Sequence, residues 1–150
     1  MPEAQRPYRK RAYAKELIEN GMLNGFVALD EDEIVGFCNA DLKNRYFRLS
    51  KENNANSWQG VDENDKILSI VCYIVAPDMR RKGVAKALLD GACRYAQENG
   101  YDYVEGYPSL GEFSESHCGG SLSMYVHAGF EMINMPNGVI ARKNLKENRQ

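Results

Sequence analysis

The sequence predicts an α/β domain in which a mixed β-sheet is covered by helices. Three observations indicate this class: a strand–turn–helix unit over Ile67–Asn99, hairpin patterns on either side of it, and a further strand at Tyr101–Tyr107. A strand, a helix and another strand form a right-handed crossover, so the two strands of the unit are expected to be parallel, whereas hairpins give antiparallel pairs. A chain of 150 residues has the size of a single domain with an ordinary core.

The central unit is the strongest pattern in the chain. Ile67–Val75 is a nearly continuous run of apolar and β-branched residues, which is typical of a strand buried on both faces. Pro77 ends the run because it has no N–H to donate to a sheet. Apolar residues then recur at helical spacing over Gly83–Asn99, and Gly100 follows where a left-handed residue closes a helix. The pattern predicts a buried strand, a tight turn and a long helix.

The turn between this strand and helix carries the clearest binding signal. It places three cations, Arg80, Arg81 and Lys82, beside Gly83 at the start of the helix. The first helical turn has N–H groups without helical partners and the positive end of the helix dipole, so it favours a phosphate or pyrophosphate. Gly83 lets an anion approach the backbone closely. No Gly-Lys-Ser/Thr follows, which argues against a magnesium–nucleotide loop. A basic turn that only caps its own helix is the plain alternative.

The other elements are weaker patterns. Two antiparallel hairpins are predicted, Gly25–Leu29 with Ile34–Ala40 and Phe130–Met135 with Val139–Lys143. Two further helices are predicted, Tyr8–Asn20 and Leu122–Ala128. Asp41–Lys66 has little periodicity and is predicted to be a long loop. Its aromatic residues, Tyr46, Phe47 and Trp58, either pin the loop to the core or line a binding site.

Two motifs follow one another along the chain. The first is V-x-P-x-x-R-x-x-G-x-A over Val75–Ala85, and the second is M-Y-V-H-A-G-F over Met124–Phe130. They resemble the acyl-CoA-binding motif and the L-Y-x-x-x-G-F segment of the GNAT superfamily of N-acetyltransferases, with Met124 in place of leucine. The resemblance covers roughly Gly25 to Lys143. Two motifs in the right order are a stronger signal than either alone.

The resemblance implies a fold and a cofactor. The GNAT fold is a mostly antiparallel sheet with helices on both faces and a splayed pair of parallel strands. Members normally have another strand and one or two helices before the first hairpin, but only some two dozen residues precede it here, so that strand is expected to be missing or shortened. The implied cofactor is acetyl-CoA, whose pyrophosphate would lie on the basic turn and whose pantetheine arm would enter between the splayed strands. Its expected contacts are Ile74, Val75, Arg80, Arg81, Lys82, Gly83, Val84 and Ala85.

The implied reaction is direct transfer of an acetyl group to a primary amine of a small molecule or peptide. Tyr125 is the implied general acid, since the pKa of a phenol, about 10, is close to that of the leaving thiol; packing in a short helix is its alternative. Glu105 is the best remaining side chain for the general base, with Glu112 and Glu115 behind it, because Ile67–Val71 offers no carboxylate. A salt-bridged Glu105 and proton loss through ordered water remain open. The rival function is a non-catalytic module that senses or sequesters acyl-CoA.

Composition and charge indicate which kinds of partner and which compartment the sequence favours. A net charge of −2 does not favour nucleic-acid binding. No apolar run is long enough to span a bilayer, and the N-terminal residues resemble no signal peptide. Four cysteines without a Cys-x-x-Cys pair favour reduced thiols in the cytoplasm. His117, Cys118 and His127 match no metal-ligand spacing, so no metal is expected. An exposed sheet edge favours a homodimer.

Overall fold

A computed structural model describes residues 12–14, 24–109 and 119–148. The strands of these residues form one seven-stranded sheet in the order β1-β2-β3-β4-β5-β7-β6. Every neighbouring pair is antiparallel except β4 and β5, which are parallel. The strands are β1 (Ala12–Ala14), β2 (Gly25–Asp30), β3 (Glu33–Leu42), β4 (Ile67–Val75), β5 (Tyr103–Gly106), β6 (Glu131–Met135) and β7 (Gly138–Asn144), and the helices are α1 (Val84–Glu98) and α2 (Leu122–His127).

The parallel pair separates halfway along β4. Pairing runs from Ile67 opposite Tyr103 to Ile70 opposite Gly106, and β4 continues to Val75. The register between β3 and β4 shifts at the same level, which leaves Val71 as an extra residue in a β-bulge. In the described part of the chain, the far half of β4 pairs only with β3. The splayed pair implied by the resemblance is therefore present.

Apolar residues pack on both faces of the sheet. The larger cluster lies between the sheet and α1, whose fully buried residues are Leu88, Leu89, Ala92 and Ala96. A smaller cluster of Trp58, Ile67 and Tyr103 covers the other face. Side chains alternate along a strand, so neighbouring residues of β5 face opposite ways. This alternation sends Glu105 away from α1 and turns Gly106 towards it.

The predicted elements are largely confirmed. Strand β4 has the predicted ends, α1 matches the predicted helix within one residue at each end, and both hairpins form. Ser121 caps α2, its Oγ accepting from the Met124 N–H at 3.2 Å, and Gly129 follows with a φ of 85°. The predicted long loop is wrong at its start, because β3 runs to Leu42; short 3₁₀ turns then follow at Lys43–Arg45, Phe47–Leu49 and Ala55–Trp58.

The helix predicted over Tyr8–Asn20 is wrong at its centre. Ala12–Ala14 forms β1, which pairs with Phe26 to Ala28 of β2. Non-local pairing has overridden the local helical spacing, and a strand is present before the first hairpin. The rest of that prediction, and the loop residues Glu112, Glu115, His117 and Cys118, lie outside the described residues. Neither α-helix in the described ranges is both long and apolar enough to cross a membrane.

Candidate active site

The start of α1 presents an open, positively charged turn. Gly83 occupies the N-cap position with a φ of 86°, a left-handed conformation that favours glycine. A Cβ placed there would meet nothing within 4 Å, so the approach to the backbone is clear. No described side chain caps this helix, and its first turn contains no acidic residue. The first-turn N–H groups and the helix dipole are therefore available to an anion.

The predicted cofactor residues surround this turn. Arg80, Arg81 and Gly83 are exposed, Lys82 and Ala85 are half-buried, and Val84 is buried. The Val84 side chain packs so closely on β3 that a Cβ at Gly36 would be 2.5 Å from its Cγ1. Val84 thus fixes the start of α1, and only its backbone is positioned to contact an anion.

The half of β4 beyond the bulge can bind an extended chain. Ile74 is 61% exposed and Val75 is half-buried. In an antiparallel pair, alternate residues direct their N–H and C=O groups away from the partner strand. Here those groups point into the gap left by β5, where the amides of an extended ligand can pair with them. The gap leads from the basic turn to the bulge at Val71.

Tyr125 places its hydroxyl group where β4 and β5 separate. A Cβ on Gly106, the last residue of β5, would lie 2.2 Å from the Tyr125 hydroxyl, so only glycine leaves room for it. The hydroxyl donates to the Gly119 carbonyl at 2.9 Å and lies 3.1 Å from the Tyr73 hydroxyl. Burial raises the pKa of Tyr125 and of Tyr73, so both phenols stay protonated at neutral pH.

Glu105 occupies the opposite face and is fully buried. Its Oε1 lies 2.6 Å from Lys43 Nζ and accepts from the Tyr107 hydroxyl at 3.2 Å, while its Oε2 accepts from Arg142 Nε at 2.5 Å. Both carboxylate oxygens are thus occupied and neither is open to the gap. The salt-bridged alternative is the one observed, and direct proton removal by Glu105 does not fit these contacts. Burial lowers the pKa of Lys43, partly offset by Glu105.

The segment after β3 lies on the same face as Glu105. Trp58 is buried and its Nε1 donates to the Leu49 carbonyl at 2.8 Å, so this aromatic residue pins the segment to the core. The Tyr46 hydroxyl donates to Asn39 Oδ1 at 2.8 Å, and Asn39 pairs with Cys72 beside the bulge. Phe47 is 77% exposed. Unlike the buried Trp58, the half-buried Tyr46 and the exposed Phe47 are both open to a ligand.

We call the point after Ile70 and Gly106, where β4 and β5 separate, the splay. Several residues around it were not identified from the sequence. Gly106 interrupts a strand pattern, and a glycine in a strand often marks a close approach, so a signal was present. Tyr73 was hidden in the apolar run of β4. Lys43 and Arg142 carried no local signal, because their partner Glu105 is distant in sequence. Among the described residues, no three His, Cys, Asp or Glu side chains are grouped to hold a metal.

A groove of about 280 Å³ lies elsewhere, between the second half of α1 and β7, with Arg94 and Lys143 in its wall. It includes neither the basic turn nor the splay. The arrangement of anion-binding turn, open half-strand and buried phenol forms a separate continuous path along β4.

Comparison with known proteins points to one family. The family model described as the acetyltransferase (GNAT) family matches residues 2–107. No curated protein matches the sequence significantly.

Solved structures of similar fold include a GNAT-family acetyltransferase from Listeria monocytogenes, with a TM-score of 0.57 and 16% identity over 80% of this chain and 63% of that one. A putative acetyltransferase from Staphylococcus aureus gives a TM-score of 0.56 and 15% identity, covering 81% and 71% of the two chains. The Drosophila melanogaster polyamine N-acetyltransferase, which forms N-acetylagmatine, gives 0.53 and 15%, covering 80% and 74%. This chain therefore spans less than two thirds of the Listeria protein's length, and identities this low indicate a shared fold alone.

Proposed function

The chain belongs to the acetyltransferase (GNAT) family, a family of acyltransferases, and we propose that it transfers the acetyl group of acetyl-CoA to a primary amine of a small molecule or peptide. The observation that carries this proposal is the Tyr125 hydroxyl group, held against Gly106 where β4 and β5 separate. Tyr125 lies outside the residues matched by the family model, so its role is argued from its position.

Binding along β4 supplies the alignment of the reactants. Arg80–Ala85 at the start of α1 would hold the pyrophosphate. Because the Ala76 N–H donates to Val35 of β3, the backbone of Val75 faces the gap and would pair with the pantetheine arm, beside the exposed side chain of Ile74. An arm held along this edge would place the thioester near the bulge at Val71. Holding a thioester beside an amine in the right geometry contributes up to about 7–11 kcal/mol to lowering the barrier. A backbone N–H on the open edge of β4 polarises the thioester carbonyl.

Tyr125 supplies the proton for the leaving thiolate. Its buried phenol stays protonated at neutral pH because burial raises its pKa. To give its proton to the thiolate, Tyr125 turns its O–H away from the Gly119 carbonyl, and the Tyr73 hydroxyl, 3.1 Å away, then donates a hydrogen bond to the phenolate oxygen. The proton that the amine releases to water returns to Tyr125 and closes the cycle. General acid catalysis of this kind is worth about 10²–10⁴-fold in rate.

The amine loses its proton through ordered water. Glu105, the base that the sequence indicated, has both oxygens bonded to other groups and is sealed from the gap. The amine approaches from the face that carries Tyr46 and Phe47, opposite the face that holds Tyr125. The Drosophila enzyme acetylates agmatine, so a small polar amine is one acceptor to include in any panel.

The proposal extends to compartment and assembly. No disulfide joins the cysteines in the described part of the chain, Cys38, Cys72 and Cys93, which supports a reducing compartment such as the cytoplasm. Strand β6 ends the described sheet at one edge, and its outer backbone groups support pairing with a second copy of the chain.

Calorimetry with acetyl-CoA, followed by thiol release across a panel of amines, tests the function. We expect binding and release with one acceptor class. Tyr125→Phe should retain acetyl-CoA binding and lower turnover about 10²–10⁴-fold, while Tyr95→Phe on α1 serves as a matched control. Binding without release from any amine would instead support the acyl-CoA-sensing module. Absence of binding would overturn the proposal.

A further inference from the structure

Three charged side chains from distant parts of the chain meet inside the protein. Lys43 follows β3, Glu105 lies on β5 and Arg142 lies on β7, and their exposed fractions are 0%, 0% and 6%. Lys43 Nζ contacts Glu105 Oε1 at 2.6 Å, and Arg142 Nε contacts Glu105 Oε2 at 2.5 Å. We call these three side chains the buried ionic cluster.

The two cations of the cluster also hold the segment that follows β3. Lys43 Nζ donates to the Ser57 carbonyl at 2.6 Å, and Arg142 donates to the carbonyls of Gln59 at 2.7 Å and Ser57 at 3.3 Å. Lys43 Nζ also lies 5.0 Å from the centre of the Trp58 ring. Both ends of the segment 43–59 are therefore linked, through Lys43 and Arg142, to the carboxylate of Glu105 on the sheet.

The cluster is connected to the splay as well. The Tyr107 hydroxyl lies 3.2 Å from Glu105 Oε1 and 2.7 Å from Ser69 Oγ. Ser69 pairs with Glu105 in the parallel register, one residue before β4 and β5 separate. Hydrogen bonds thus run from the segment 43–59 through Glu105 to the strands that frame the gap.

Stability alone does not account for such a cluster. Two cations share one carboxylate, and removing charges from water costs free energy that apolar residues of similar size would not require. In some proteins, buried polar and ionic contacts of this kind specify one geometry of the surrounding backbone. The result is a fixed backbone whose Tyr46 reaches Asn39 beside the bulge and whose Phe47 is left exposed.

We propose that the buried ionic cluster positions the acceptor wall: it fixes the segment 43–59 over the acceptor side of the splay, so that Tyr46 and Phe47 orient the incoming amine. Lys43, Glu105 and Arg142 are positioning residues that act through this segment. The inference rests on the proposed function, and it goes beyond it by assigning acceptor binding to a segment that is not part of the acetyl-CoA path.

Lys43→Met is the sharpest test, because methionine fills the space and leaves Glu105 paired one-to-one with Arg142. We expect the KM for the amine to rise at least tenfold, while the dissociation constant for acetyl-CoA measured by calorimetry changes less than twofold. Lys43→Arg, which keeps the charge and the donor groups, should restore much of the loss. Arg94→Met removes an exposed cation of α1 that lies outside both the segment 43–59 and the acetyl-CoA path, and it should behave as the wild type.

Arg142→Lys gives a second, independent route. It keeps the charge beside Glu105 but has fewer donors for the Ser57 and Gln59 carbonyls, so the amine KM should rise while acetyl-CoA affinity holds. An unchanged amine KM in both variants overturns the proposal. Equal losses of amine and acetyl-CoA binding also overturn it, since they indicate a general structural role.

Hydrogen exchange separates failure of this inference from failure of the proposed function. If the wild-type chain releases no thiol with any amine, the proposed function fails, but exchange in residues 43–59 is still measurable. Faster exchange confined to that segment in Lys43→Met supports the anchoring. Unchanged exchange there, or faster exchange throughout the sheet, overturns it.

Discussion

At the splay between β4 and β5, the two faces of the sheet carry different kinds of side chain. On the α1 face, Tyr125 and Tyr73 are uncharged phenols in an apolar core. On the other face, Glu105 is held between two buried cations. Gly106 and Glu105 are consecutive residues of β5, so one peptide unit divides the two environments.

This difference separates two tasks of a transferase. The leaving thiolate needs a neutral proton donor, which burial provides by keeping a phenol protonated. The acceptor needs a fixed wall, which directional ionic contacts provide at a desolvation cost. The sequence suggested Tyr125 as the acid and Glu105 as the base; in the structure Tyr125 is a buried phenol on one face, but Glu105 belongs to an ionic cluster on the other.

The largest effect is expected on the charged face. Glu105→Gln leaves two buried cations without their carboxylate, and breaking a buried ion pair in this way costs about 3–5 kcal/mol of unfolding free energy. Lys43→Met should cost less, because a balanced pair remains. Urea unfolding of both variants measures the difference. Equal losses, or a smaller loss for Glu105→Gln, would contradict the account of the cluster.

The second largest effect is expected on the face that holds Tyr125. Gly106→Ala adds a Cβ 2.2 Å from the Tyr125 hydroxyl. Overpacking of this kind costs about 1–3 kcal/mol, and displacement of the hydroxyl from the splay should lower turnover as well. Thermal unfolding and thiol-release kinetics measure the two consequences. A variant with wild-type stability and turnover would show that Tyr125 does not need this site.

The residues of each face are predictable from the sequence only where their contacts are between residues close in sequence. Strand β4 and helix α1 were predicted closely because their apolar periodicity is long and local. Strand β1 was missed because three residues that pair with β2 carry little local signal. The glycine at 106 could have indicated the phenol site. No local sequence pattern links Lys43 to Glu105, which lies 62 residues away, so the ionic cluster is evident only in the folded structure.

A smaller effect distinguishes the faces without touching either centre. Ser121→Ala removes the N-cap of α2, the helix that carries Tyr125, and typically costs about 1 kcal/mol. Turnover should fall modestly, while acetyl-CoA binding should hold. Combined with Lys43→Met, the stability losses should add, since the two sites share no partner. A strong departure from additivity would mean that the faces are coupled through the sheet.

The smallest expected effect is on the pH dependence of stability, and it appears only in alkaline solution. Burial raises the pKa of Tyr73, Tyr107 and Tyr125 above the ordinary value, and raises that of Tyr101 to about 12. The folded state then holds more protons than the unfolded state above about pH 10, so these phenols lower stability as pH rises beyond that point. Lys43 acts in the opposite direction: its pKa is lowered, so its penalty is relieved as pH rises towards the ordinary lysine value.

Absorbance of the phenolate separates these contributions. In the native protein, part of the tyrosine signal should appear at clearly higher pH than in urea, where all nine tyrosines ionise near their ordinary pKa. Lys43→Met should abolish the stability gain below pH 10 and leave the phenol-dependent loss above it. Coincident native and unfolded titrations would show that the phenols are open to solvent. Tyr125 would then lose the sealed environment on which its role as proton donor depends.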